Sequence, residues 1–181
     1  MGTHSGASRT HPVVVGVSPG QPAHVVLQAA RFAAQFQTEL VCAHVNPGRF
    51  STSESPDGSM LTAPIDPDFA DEREVAFDTR LENSLSEILA DSGVSWRPLV
   101  IAGDVATALG HLADTVDAAM IVVGTHERSF GGGIQEFFNR SIAVNLAHSQ
   151  LRPVVVIPAR APGGDAAHTA PTVPPAPAAS A

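Results

Sequence analysis

Short apolar runs alternate along this chain with longer stretches in which apolar residues recur every three or four positions. Val13-Val14-Val15-Gly16-Val17 is apolar at odd and even positions alike, the pattern of a strand buried on both faces. Residues 21 to 38 then read as a helix. Val25, Ala29, Phe32 and Phe36 form one stripe, and His24, Gln28, Arg31 and Gln35 the opposite, wet one. Leu40 to Val45 is a second strand. Residues 46 to 65, rich in Pro, Gly and Ser, read as an irregular loop. Asp66-Pro67 predicts a helix start, a capping carboxylate followed by proline at the first helical position. Phe77, Leu81, Leu85 and Ile88 are that helix's buried stripe. Val94 to Ala102 is a third strand, and Pro98, which lacks a ladder donor, predicts an edge position for it. Asp104 caps a third helix with Val105, Leu109, Leu112 and Val116 on one face. Met120 to Val123 is a fourth strand, ending at Gly124. A glycine-rich loop follows, then a fourth helix from about Ile134 to His148 with Phe138, Ile142 and Leu146 spaced four apart. Val154 to Ile157, bracketed by Pro153 and Pro158, is the fifth strand.

Five strands alternating with four helices imply an α/β protein with one doubly wound parallel sheet and helices on both faces. In such sheets ligands sit beyond the carboxyl ends of the strands, where the strand order reverses. Periodicity leaves the order itself open.

Composition sets the boundaries. The chain has 181 residues, of which 44% are hydrophobic, enough for one domain with a real core. The first ten residues are small and polar, and residues 159–181 are mostly Ala, Pro, Gly and Thr. Both ends are expected to be disordered, leaving a domain over 11–158. There is no apolar run long enough to span a membrane and no charged-then-apolar leader, which predicts a cytoplasmic protein. Cys42 is the single cysteine, so it has no partner for an intrachain disulfide, and it reads as a core filler.

Net charge is −8, and eleven acids lie between Glu54 and Asp91 with two arginines among them. That stretch carries −9, so the rest sums to +1. It reads as a solvated helix face. No lysine occurs, and the ten arginines form no cluster of the kind that holds a phosphate backbone, which argues against nucleic acid as a partner.

The richest segment chemically is Val122-Val123-Gly124-Thr125-His126-Glu127, then Gly131-Gly132-Gly133, then Phe138-Asn139-Arg140-Ser141-Ile142. Backbone N–H groups in such a glycine loop can cradle a phosphate, and the same composition also suits a plain surface loop. Val13 to Ser18, Cys42-Ala43-His44-Val45, Gly103-Asp104, Ile121 to His126 and Arg152 to Pro158 together, in this order, resemble the universal stress protein family. The resemblance spans roughly Pro12 to Pro158. It implies an adenine nucleotide alpha hydrolase-like sheet in the order 3-2-1-4-5, with the crevice between strands 1 and 4.

It also implies a site. Nucleotide-binding members of the family use an Asp after strand 1, a Val ending strand 2, and Gly-x-x-Gly, nine residues, Gly-Ser/Thr. Mapped onto this chain, the nucleotide positions are Val17, Ser18, Val45, Gly124, the loop Gly131, Gly132 and Gly133, Arg140, Ser141 and Ile142. Ser18 stands where the Asp would be, Glu127 where the second glycine would be, and Arg140 where the last glycine would be. The intervening loop is three residues longer. A serine hydroxyl is a weaker acceptor than a carboxylate. Arg140 could pair with a phosphate, fill the cavity, or pair with Glu127 or Glu136.

The reading is therefore a stress-type regulatory or binding protein, with ATP or AMP as the ligand the motif leaves room for and no cofactor required. The alternatives are a weak nucleotide hydrolase, with His126 and Glu127 as the local candidates, and a nucleotide-free dimeric module. No paired carboxylates, zinc spacing or nucleophile elbow stand out, so an enzyme is the less favoured reading. His44, ending an apolar strand, reads as a satisfied buried histidine, and Trp96 as a packing residue. The resemblance implies a homodimer through strand 5, an edge in the implied order, and Val154, Val155, Val156 and Ile157 supply a physical reason as a bare β-branched run.

Overall fold

The computed structural model describes residues 11–66, 77–125 and 135–158, with side chains from Ile142 onward in the last segment. Its elements are β1 (Val13–Gly16), α1 (Ala23–Phe36), β2 (Leu40–Asn46), β3 (Arg49–Glu54), β4 (Met60–Pro64), α2 (Thr79–Leu89), β5 (Trp96–Ala102), α3 (Val105–Thr115), β6 (Met120–Gly124), α4 (Gln135–Ser149) and β7 (Val154–Ile157). Five of the strands form one parallel sheet in the order β5-β2-β1-β6-β7. With β3 and β4 set aside, this is the order 3-2-1-4-5. Pro98 lies on an edge strand, where its missing N–H costs no ladder bond.

Alternation along each strand divides the core in two. Val13, Val15, Leu40, Cys42, Met120 and Val122 belong to the layer under α1 and α2. Val14, Val41, Ala43, Ile101, Ile121 and Val123 belong to the layer under α3. Strands buried on both faces need apolar residues at every position, which is why these runs show no polar alternation. Burial pushes the Cys42 thiol up to about 12, so it is a core side chain and not a reactive thiolate.

Helix starts are set by carboxylates. Asp78 accepts from the N–H groups of Arg80 and Leu81, and Asp104 from the N–H and hydroxyl of Thr107. These bonds hold both carboxyl groups below the usual range. Asp78, not Asp66, therefore caps the helix that buries Leu81, Leu85 and Leu89. Residues 67–76, on which the expected start at Asp66-Pro67 depends, lie outside the described residues. In α1 the buried stripe is Val25, Val26, Ala29, Ala30 and Ala33, and Phe36 is exposed instead of closing it. Phe36 is the last helical residue, and the chain turns away at Gln37 (φ 53°).

The main departure is the segment 46–65. It is not irregular: β3 and β4 pair as an antiparallel hairpin. The buried Arg49 holds the pair together, its Nε donating to the Thr62 hydroxyl at 2.8 Å and its Nη2 to the Thr62 carbonyl at 3.0 Å. The hairpin tip lies against β5 and α3. Arg97 donates to the Asp57 carbonyl at 2.7 Å. Glu54 meets His111 at 2.5 Å and accepts from the Thr115 hydroxyl at 2.8 Å. Gly58 is buried at φ +83°, and a Cβ there would stand 2.4 Å from Leu112 Cδ1 and 3.1 Å from Val116 Cγ1.

Gly58→Ala should therefore cost about 2–3 kcal/mol, through a strained φ and overpacking together. Urea unfolding measures it, and an unchanged midpoint would show that the tip does not dock on α3.

Candidate functional site

The centre of the sheet ends at Gly16-Val17-Ser18. In a parallel strand successive residues turn their backbone groups to opposite flanks. Val17 faces β2: its N–H donates to the Ala43 carbonyl at 2.8 Å, and its carbonyl is 3.1 Å from His44 Nδ1, which donates to it. That bond places a proton on Nδ1. The His44 ring lies edge-on to Phe77, with centroids 6.3 Å apart. His44 is thus a half-buried, satisfied histidine that joins the ends of β1 and β2.

Gly16 and Ser18 face the other flank, towards β6. Their partner is a side chain absent from the sequence-derived site. Gln21 Nε2 donates to the Gly16 carbonyl at 3.2 Å, and Gln21 Oε1 accepts from the Ser18 N–H at 3.1 Å. The turn before α1 makes this reach possible. Pro19 and Gly20 occupy its two central positions, Gly20 has φ +76°, and the Gln21 N–H donates back to the Ser18 carbonyl at 3.1 Å. These are the marks of a type II turn, which reverses the chain within four residues. The Ser-Pro-Gly-Gln sequence is the signal that could have located Gln21.

β6 closes the crevice at Gly124. A Cβ on Gly124 would lie 3.0 Å from Gln21 Nε2 and 3.1 Å from Val25 Cγ2. Beyond it, the Thr125 N–H donates to the Ile157 carbonyl at 2.8 Å, and His24 Nε2 donates to the Pro158 carbonyl at 2.6 Å. On the β2 side, Val45 is half-buried and the Asn46 carbonyl accepts from the Gly103 N–H at 3.1 Å.

The ends of three adjacent strands thus bring Val17, Ser18, Val45 and Gly124 into one region. Ile142 belongs elsewhere: it is half-buried against the core layer that holds Leu109 and Leu146. Gly131, Gly132 and Gly133, together with His126 and Glu127, lie outside the described residues, as do the side chains of Arg140 and Ser141. Among the described residues no three His, Cys, Asp or Glu side chains are grouped to hold a metal ion. No helix there is long and apolar enough to cross a membrane. What the described strand ends offer a ligand is backbone groups, the hydroxyls of Ser18 and Thr125, the carboxamides of Gln21 and Asn46 and the half-buried Val45, while the Val17 side chain is buried in the core layer under α1 and α2.

These features converge on one class, a doubly wound α/β protein whose strand order reverses between β1 and β6, the place where sheets of this kind hold ligands. The universal stress protein family model matches residues 9–158, and the chain belongs to that family. A universal stress protein solved in complex with cAMP is similar to it at 19% identity and TM-score 0.57, covering 83% of this chain and 98% of that one. The universal stress protein from Archaeoglobus fulgidus in complex with dAMP is similar at 18% identity and TM-score 0.55, covering 81% and 97%. A family protein from Burkholderia pseudomallei is similar at 24% identity and TM-score 0.54, covering 83% and 98%. At these identities the likeness is one of fold. No curated protein matches the sequence.

Gly124→Ala should destabilise the fold by about 1–2 kcal/mol, because the new methyl must displace Gln21 or Val25. Thermal unfolding checks this, and wild-type stability would mean that α1 does not press on β6.

Proposed function

We propose that this chain is a cytoplasmic regulatory protein that takes an adenine nucleotide, AMP or ATP, in the crevice between β1 and β6, and that acts by changing conformation and contacts, not by catalysis. The observation that carries the reading is the meeting of Val17, Ser18, Val45 and Gly124 at the strand-order reversal. The cAMP and dAMP complexes of the two similar stress proteins support the choice of ligand class. The half-buried Val45 supplies apolar contact for a base, the end of β1 at Val17 supplies backbone, and Ser18 supplies a hydroxyl where a carboxylate would grip more firmly. The loop with Gly131 to Gly133, Arg140 and Ser141 is the phosphate end of this proposal. Ser18 in place of an acid after β1 removes the obvious carboxylate for a catalytic metal ion there, which favours binding over hydrolysis.

Calorimetric titration of the full chain with AMP and with magnesium ATP tests the reading. Saturable binding below millimolar concentration is expected, with no release of inorganic phosphate from ATP. Absence of heat at millimolar ligand would favour a nucleotide-free module, and steady phosphate release would favour a hydrolase.

The second part of the proposal is a homodimer through β7. This strand is the sheet edge opposite β5, Val156 is 42% exposed, and Val154, Val155 and Ile157 are half-buried. An open β-branched edge invites pairing, and proline at each end keeps the pairing short and closed. Sedimentation of the full chain and of a chain ending at Pro158 should give twice the monomer mass for both at micromolar concentration. Monomers in both would defeat the dimer, and a dimer from the shorter chain alone would show residues 159–181 covering the edge.

A further inference from the structure

We propose that Gln21 is a built-in occupant of the nucleotide crevice, a side chain that a ligand must displace and that sets the affinity of the site. The inference rests on the nucleotide reading above and adds its regulation. Its first ground is the flank that Gln21 takes. The β2 flank of the β1 end is closed by Ala43 and His44, which satisfy both backbone groups of Val17. The β6 flank leaves one acceptor, the Gly16 carbonyl, and one donor, the Ser18 N–H. The Gln21 carboxamide meets both at once, at 3.2 Å and 3.1 Å.

The second ground is space. The absent side chain of Gly124 makes room for Gln21 Nε2 and for Val25, whose atoms stand 3.0 Å and 3.1 Å from where its Cβ would be. In this state the motif glycine accommodates the chain's own carboxamide. The third ground is chemical. A carboxamide presents an acceptor and a donor side by side, and so does the edge of adenine that carries its amino group and a ring nitrogen. A base that enters this flank can replace both bonds of Gln21 in kind. The pyrrolidine ring of Pro19 and the turn at Gly20 hold Gln21 over the crevice without fixing its χ angles, so the carboxamide can swing out while the backbone stays in place.

The test is AMP titration of the full chain and of Gln21→Ala and Gln21→Asn, with thermal unfolding to verify that each variant is folded. Asn is one methylene too short to span both backbone groups. Each variant should bind AMP about tenfold more tightly than the wild type, the scale of one or two net hydrogen bonds no longer competing. Without nucleotide, the Ser18 amide should exchange with solvent faster in both variants. Binding seen only in the variants is the same result in its strongest form. Equal or weaker affinity in folded variants overturns the proposal while leaving the nucleotide site in place. No binding by any of the three proteins at millimolar AMP overturns the nucleotide site itself and this proposal with it.

Discussion

The end of β1 is the place on which the rest of this structure depends. Val13, Val14 and Val15 are fully buried between two helical layers, and neighbours pair along both flanks of the strand. Where the ladder stops, backbone donors and acceptors at the sheet's edge with solvent still need partners. The chain supplies them from two directions. His44 and Ala43 serve Val17 from β2, and Gln21 serves Gly16 and Ser18 from the turn into α1. The same requirement that completes the hydrogen bonding of the central strand therefore places the Gln21 carboxamide at the reversal between β1 and β6, where we propose that a nucleotide binds.

The two edges of the sheet are handled differently. At β5 the hairpin of β3 and β4 lies alongside, fastened through Arg97, Glu54 and the buried Gly58. At β7, beyond the pairing with β6, the described residues add the bond from His24 to the Pro158 carbonyl. A sheet with one edge fastened by its own chain and the other left β-branched is suited to pairing in one direction only, as a closed two-fold association requires.

Much of this architecture was legible in the sequence because burial on both faces leaves a strong signal. Runs such as Val13 to Val17 and Met120 to Val123 read as strands buried on both faces, and Pro98 marked an edge. The family resemblance supplied the strand order. The hairpin was not legible, because its apolar positions are few and its stability comes from Arg49 bonded to Thr62 and from Gly58 seated against Leu112, contacts between residues distant along the chain. Asp66-Pro67 and Asp78 both fit the chemistry of a helix cap, and local sequence does not rank them. At the site, Val17, Val45 and Gly124 could be placed by analogy with the family. Gln21 could not, because its role arises from the geometry of a type II turn that brings it back onto the strand it follows.

The central claim is that the Gln21 carboxamide and a nucleotide contend for the backbone of Gly16 and Ser18. The most direct measurement is the NMR response of two groups, the Gln21 side-chain amide and the Ser18 backbone amide, during titration with AMP. If carboxamide and nucleotide contend, both resonances move together and saturate with the same dissociation constant, the Gln21 pair shifting to the position of a solvent-exposed carboxamide. Saturation of other residues while these two stay fixed would contradict it.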